Sequence, residues 1–79
     1  MQEESGQIKA IFENTGKDQK FKHAKLYFQE TVWGDFSHGD PPHSINTFEG
    51  HEWNINDLDG NLLKRIVIPG GKMKQKFSV

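Results

Sequence analysis

The sequence predicts an all-β protein, a small antiparallel β-sandwich of about six to seven strands, and three observations favour it. Apolar and polar residues alternate with a period of two over most of the chain. Clusters of Gly, Asn, Asp and Pro separate the alternating segments. No part of the chain has the i, i+3, i+4, i+7 apolar stripe of an amphipathic helix. The 79 residues suffice for one domain, which we expect over residues 7–79 after a disordered tail at residues 1–6.

The first half of the chain predicts two strands and a loop. Residues 7–13 alternate clearly, and residues 14–18 carry the Asn and Gly of a turn. Residues 20–29 restart the alternation, which places Leu26 on one face of the strand together with Ala24 and Phe28. Residues 33–42 are rich in Gly, Asp and Pro and predict a long loop or a short edge strand.

The second half predicts four further strands. Residues 44–48 and 51–55 flank a turn, and Asp59-Gly60 is a strong hairpin signal before the strand at residues 62–68. Residues 72–79 form the closing strand, whose outward lysines are typical of a protected sheet edge. Its inward positions are predicted to be Met73, Phe77 and Val79.

Composition excludes several classes of protein. The chain has no cysteine, which rules out disulfides and thiolate metal sites. No apolar run approaches the length of a membrane span, and the first residues lack the apolar core of a signal peptide. We therefore expect a soluble, cytoplasmic or nuclear protein that does not bind membranes. We expect a monomer in preference to an oligomer, although exposed edge strands permit a dimer.

Charge is distributed unevenly, although the formal net charge is only -1. All Lys and Arg lie within residues 9–25 and 64–76. Between residues 26 and 63 the charged side chains are all acidic: Glu30, Asp35, Asp40, Glu49, Glu52, Asp57 and Asp59. Two interpretations remain open: the basic strands pair with the acidic middle, or an acidic face attracts a basic partner. Neither favours a nucleic acid as partner.

No catalytic, metal or cofactor motif is evident. The spacing of the histidines matches no compact zinc pattern, and residues 57–61 are better explained by a hairpin turn than by a calcium loop. A nucleophile with a Ser-His-acid arrangement is also missing from the sequence. We expect a protein without enzymatic activity, metal or cofactor.

The most informative stretch of the chain is residues 45–59. Two alternating segments meet at a turn and bring Phe48, His51 and Trp53 within six positions. His51 and Trp53 share a strand face because they are two residues apart. Trp53 is either the core tryptophan of a small sandwich with His51 at its rim, or a pocket wall beside a hydrogen-bonding imidazole.

This stretch resembles a known family. Its pattern, Ile-x-[Ser/Thr]-[Tyr/Phe]-x-Gly-His-x-Trp followed four residues later by Asp, is similar to the central hairpin of the β domain of the von Hippel–Lindau tumour suppressor. In that family the hairpin forms part of a groove that reads a hydroxyproline-containing peptide. The resemblance extends to the first strand and to Pro41-Pro42, and implies a β-sandwich of transthyretin-like (prealbumin-like) topology.

The site residues that the resemblance implies are altered in this chain. Asn46 and Thr47 stand where the family has a His-Ser pair that bonds the hydroxyproline hydroxyl. Tyr27 is the best substitute for the family's pocket tryptophan, with Trp33 as second choice. The chain has no counterpart of the family's helical domain, so ubiquitin-ligase activity is not implied.

The sequence thus predicts a non-catalytic module that binds a peptide or protein, with proline or hydroxyproline as candidate features of the ligand. The predicted binding residues are Tyr27, Asn46, Thr47, His51 and Trp53. Three alternatives remain: an accessory domain beside a prolyl-hydroxylase-type oxygenase, a sandwich that binds a small molecule or a carbohydrate, and a purely structural module.

Overall fold

The computed structural model describes residues 7–79, over which the chain forms seven β-strands and one short 3-10 helix. The elements are β1 (Gln7–Glu13), the 3-10 helix (Gln19–Phe21), β2 (Ala24–Phe28), β3 (Thr31–Asp35), β4 (His43–Phe48), β5 (Glu52–Asp57), β6 (Leu62–Val67) and β7 (Lys74–Ser78). The predicted all-β class is confirmed. The tail expected at residues 1–6 lies outside the described residues.

Two sheets make up the sandwich. Sheet A has the order β4-β1-β7, and sheet B has the order β3-β2-β5-β6. Four of the five strand pairs are antiparallel, whereas β1 and β7 run parallel. This parallel pair was not predicted from the sequence, because alternation defines the faces of a strand but not the direction or partner of its neighbours.

The core lies between the sheets and combines one face of each. β1 contributes Ile8, Ala10 and Phe12, which alternate with more exposed residues, and the centroid of the Phe12 ring lies 5.5 Å from that of the Trp53 ring in the opposite sheet. Aromatic side chains are efficient here because each buries about 150–250 Å². The buried apolar residues are Ile8, Ala10, Phe12, Phe21, Ala24, Leu26, Phe36, Ile45, Trp53, Ile55, Ile66 and Ile68.

Two local features differ from the predictions made from the sequence, the start of β2 and the position of Met73. The predicted strand at residues 20–29 begins only at Ala24, because Asp18 accepts a hydrogen bond from the Lys20 amide at 3.1 Å and caps a 3-10 turn instead. Residues 31–35 form an edge strand that overlaps residues 33–42, so the short edge strand that was expected there as an alternative to a loop is present. Met73 is 78% exposed and precedes β7, so its predicted inward position is wrong, whereas Phe77 and Val79 pack against the core.

Asn14 ties three segments of the chain together. Its Nδ2 donates hydrogen bonds to the carbonyl oxygens of Phe21 and Phe36, at 2.7 and 2.9 Å, and its Oδ1 accepts one from the Gly16 amide at 3.0 Å. The side chain therefore joins the end of β1 to the 3-10 helix and to the segment after β3. Gly16 has a φ of +82°, and the His38 ring packs where a Cβ would project, so this turn requires glycine.

The sheet edges differ in charge. β6 and β7 are edge strands that carry Lys64 and Arg65, and Lys74 and Lys76, respectively. The other two edges, β3 and β4, carry no Lys or Arg. These edges are adjacent, since His43 Nε2 of β4 donates to the Asp35 carbonyl oxygen of β3 at 2.7 Å. Charge protects two edges against strand addition and leaves the β3–β4 side open.

Within residues 7–79 there is no helix with the length and apolarity needed to cross a membrane. The same residues contain no group of three or more His, Asp or Glu side chains arranged to hold a metal ion.

Asp57 organises the β5–β6 hairpin. Its carboxylate accepts hydrogen bonds from the Asn61 amide at 2.9 Å, the Asn61 side chain at 3.0 Å and the Asp59 amide at 2.9 Å. The bond from the Asn61 backbone contributes most to lowering the pKa of Asp57 below its ordinary value. These hydrogen bonds explain why an acidic residue, Asp57, stands at the start of the predicted hairpin turn.

Acid is expected to loosen this hairpin. Because the folded-state pKa of Asp57 is lowered, the carboxylate stabilises the folded form above the unfolded pKa of about 4, and that stabilisation is lost as the pH falls through the lower folded value. The amide shifts of Asn61 and Asp59, followed by NMR from pH 6 to pH 2, should report the transition. Asp57→Asn should lack this component of the pH dependence. An unchanged titration in that variant would contradict the assignment.

Candidate functional site

Three of the five predicted site residues come together in the structure. Thr47 of β4 and Trp53 of β5 both face the space between the sheets, and His51 lies just before β5. Thr47 is 1% exposed and Trp53 is 2% exposed, whereas His51 is partly exposed. This placement corresponds to the interpretation of Trp53 as a core tryptophan with His51 at the rim.

A chain of hydrogen bonds links these three side chains. Trp53 Nε1 donates to Thr47 Oγ1 at 3.0 Å, and Thr47 Oγ1 lies 3.2 Å from His51 Nδ1. Because Thr47 is buried, its hydroxyl proton needs a buried acceptor, and His51 Nδ1 is positioned to accept it. This assignment places the imidazole proton on Nε2. His51 Nε2 makes no hydrogen bond within residues 7–79, so it can donate to a ligand.

Aromatic rings surround His51 and cover Trp53. The centroid of the Phe28 ring lies 5.3 Å from the centroid of the His51 ring and 4.7 Å from that of the Trp53 ring. Phe48 packs edge-on against His51 with 5.5 Å between the ring centroids, and Trp33 packs edge-on against Trp53 with 5.3 Å between the ring centroids. Trp33 is 51% exposed and Phe48 is 42% exposed, so both rings present apolar surface to solvent. We call Phe28, Trp33, Phe48 and His51 the aromatic wall.

The other two predicted residues lie elsewhere. Asn46 is exposed and alternates with the buried Thr47, so it points to the outer face of sheet A. Tyr27 alternates with the buried Leu26 and points to the outer face of sheet B, where it pairs with Asn54. The expected single face of five residues is therefore not formed, because neighbouring residues of a strand point to opposite sides.

Phe28 takes the position for which the resemblance suggested Tyr27. The alternation of β2 already placed Phe28 with the inward residues, and that signal identifies it as the ring able to contact Trp53. Trp33, the second choice for this role, does contact Trp53. Its contact arises where the β2–β3 register shifts at residues 26–27, an irregularity that has no signature in the sequence.

Comparisons of the chain with models of protein families, with curated proteins and with solved structures found no match.

Proposed function

We propose that this domain is a non-catalytic module that binds an extended peptide segment containing proline or hydroxyproline, on the side of the sandwich formed by β3 and β4. The observation that carries the proposal is the partly exposed aromatic wall with His51 held in one orientation by Thr47. The resemblance of residues 45–59 to the von Hippel–Lindau β domain gives independent support from sequence.

The chemistry of the aromatic wall suits a prolyl ring. Proline has a compact apolar ring and, within a peptide, no amide proton, so it loses little hydrogen bonding when it packs on aromatic faces. Trp33 and Phe48 offer such faces, and His51 Nε2 can donate to a hydroxyl or a carbonyl oxygen of the ligand. Trp53 supports the wall from beneath, because its ring is buried and its Nε1 is already hydrogen-bonded.

The open edges add a second means of binding. The outward backbone groups of β3 and β4 lack a neighbouring strand among residues 7–79, and no lysine or arginine on either strand discourages an approaching chain. Addition of a peptide strand to a sheet edge supplies affinity through main-chain hydrogen bonds, while side-chain contacts supply selectivity. We infer that an extended ligand would form main-chain hydrogen bonds to an open edge strand and would also pack its side chains on the aromatic wall.

Hydroxylation of the proline should matter less here than in the resembling family. The Thr47 hydroxyl is 1% exposed and already bonded to Trp53 and His51, and Asn46 points away. A ligand hydroxyl would therefore gain one hydrogen bond, from His51. One such bond contributes about 0.5–1.5 kcal/mol, which corresponds to roughly a two- to tenfold gain in affinity.

Of the alternatives, a carbohydrate stacked on Trp53 is not favoured by the geometry, since Trp53 is 2% exposed. A structural module or an accessory domain beside an oxygenase would share the buried Trp53–Thr47 pair. Neither of these two functions would require the Trp33 side chain to be half exposed to solvent, as it is in the structure.

A titration with matched peptides tests the proposal. Two extended octapeptides that differ only in proline or 4-hydroxyproline would be added to 15N-labelled protein, and amide and indole shifts followed. We expect saturable shifts at Trp33, Phe48 and His51 with both peptides, and tighter binding of the hydroxylated one. Trp33→Ala should weaken both complexes, whereas Leu58→Ala, which removes an exposed apolar side chain from the β5–β6 hairpin, should not. No shift with either peptide near a millimolar would eliminate the proposal.

A further inference from the structure

His43 joins the two open edge strands, and its side chain lies against the residues that follow Trp33. The Nε2 atom of His43, on β4, donates a hydrogen bond to the Asp35 carbonyl oxygen of β3 at 2.7 Å. A carbonyl oxygen only accepts, so the imidazole carries a proton on Nε2. The ring also fills the space above Gly34, where a Cβ would lie 2.8 Å from the His43 Cε1 atom. We call these two contacts the His43 clamp.

The connection between β3 and β4 holds His43 in this place. Phe36 is 1% exposed, and its amide donates to the first carbonyl oxygen of β2 at 2.9 Å, which fixes the chain just after β3. In the loop that follows, the Asp40 carboxylate accepts a hydrogen bond from the Ser37 amide at 2.8 Å. Residues 41–42 are prolines, whose rings fix φ. The connection is therefore restrained, and it returns His43 onto the strand that the chain has just left.

Trp33 lies where β3 is least restrained by its own sheet. Val32 and Gly34 pair with residues of β2, and the register skips Trp33 between them, as in a β-bulge. The Trp33 ring packs edge-on against Trp53 but is 51% exposed. Because a bulge disrupts the ladder locally, a contact on the other side of the strand is needed to fix this residue. The His43 clamp begins at the next residue and supplies that contact.

We propose that His43 is a positioning residue of the binding site, and that its clamp on β3 holds the Trp33 ring in place for the prolyl ring of the ligand. The inference rests on the proposed function and gives a role to a histidine outside the aromatic wall. A ligand that packs on a ring already fixed does not have to order it, so the clamp increases affinity by pre-organisation. Loss of the clamp should weaken binding roughly two- to tenfold, the change that one net hydrogen bond gives.

Two amide substitutions separate the hydrogen bond from the rest of the side chain. In His43→Gln the amide nitrogen can take the place of Nε2 and donate to Asp35, whereas in His43→Asn it falls at the place of Nδ1, short of that oxygen. We expect His43→Gln to keep most of the affinity and His43→Asn to bind more weakly. Gly34→Ala displaces the imidazole ring and should match His43→Asn. Ser44→Ala removes an exposed side chain next to His43 and should leave binding unchanged.

Two measurements show whether the effect passes through Trp33. The chain has two tryptophans, so the indole NMR signals of Trp33 and Trp53 can be followed separately in the free protein. The heteronuclear NOE of the Trp33 indole should fall in His43→Asn, and that of the buried Trp53 indole should not change. In a Trp33→Ala background, His43→Asn should no longer weaken binding of the proline octapeptide, because the ring that His43 positions is gone.

The remaining outcomes separate this inference from the proposed function. An unchanged Trp33 indole in His43→Asn would overturn the inference, as would an equal loss of affinity in the Trp33→Ala background. Equal affinities of His43→Gln and His43→Asn would also overturn it, since the hydrogen bond to Asp35 would then contribute nothing. If no proline peptide binds the wild type, the proposed function fails, whereas a Trp33 indole that loosens in His43→Asn would retain the positioning of the ring by His43.

Discussion

Asn14→Asp is expected to destabilise the domain by about 3–5 kcal/mol, because it places a buried negative charge against two carbonyl oxygens that lose their hydrogen-bond donor. The side chain is 9% exposed and its Nδ2 donates to the carbonyl oxygens of Phe21 and Phe36. A carboxylate in its place has no proton to donate and is repelled by both oxygens. Domains of this size are stable by roughly 0.05–0.15 kcal/mol per residue, so the substitution should remove a large share of the total free energy of unfolding.

Chemical denaturation monitored by tryptophan fluorescence would measure the loss. Asn46→Asp makes the same chemical change at an exposed position and should alter the free energy of unfolding by less than about 0.5 kcal/mol. Acid offers a second test, because protonation of the introduced carboxyl restores one donor and should reduce the difference from wild type. Equal stability of the two aspartate variants at neutral pH would show that Asn14 does not hold these segments together.

Trp53→Ala is expected to cost about 3–5 kcal/mol, the usual range for loss of a large buried aromatic side chain. The Trp53 ring is 2% exposed and contacts Phe12, Phe28 and Trp33. Since that cost can unfold the domain, the milder Trp53→Phe and Thr47→Val are the informative changes. Thr47→Val removes the acceptor of the indole proton and should cost about 1–3 kcal/mol.

A double-mutant cycle isolates the hydrogen bond between these side chains. Once Trp53→Phe has removed the donor, Thr47→Val should cost clearly less than it does in the wild type, with a coupling of about 0.5–3 kcal/mol. The free energies of unfolding of the four proteins give the value. Strict additivity would mean that the two side chains contribute independently and that the Trp53–Thr47 bond adds nothing to stability.

The alternation of apolar and polar residues predicted most of the strands, because this pattern depends only on which side chains must be buried. β1 was predicted at its observed bounds, Gln7–Glu13, because its turn residues follow directly. The 3-10 helix was missed because it depends on one capping bond, which the Asp18 side chain accepts from the Lys20 amide, and on burial of Phe21. The β1–β7 pair depends on contacts between distant segments, and these leave no periodic signal in either strand.

Part of the candidate site was predictable because it also follows from the alternation of side chains along a strand. His51 and Trp53 lie two residues apart, and their common side of the strand follows from that spacing alone. The hydrogen bond from Thr47 to His51 depends on how the β4–β5 turn folds back, and the contact of Trp33 with Trp53 depends on a register shift. Tyr27 was chosen from the resemblance, whereas Phe28 follows from the inward alternation of β2.

The parallel pairing of β1 and β7 also determines how the domain carries mechanical load. Five residue pairs join the strands, from Lys9–Lys74 at one end of the ladder to Glu13–Ser78 at the other. Tension applied between residues 7 and 79 pulls β1 toward one end and β7 toward the other. The hydrogen bonds of the ladder are then sheared together instead of being opened one after another, so the resistance of the fold to stretching lies in its first and last strands.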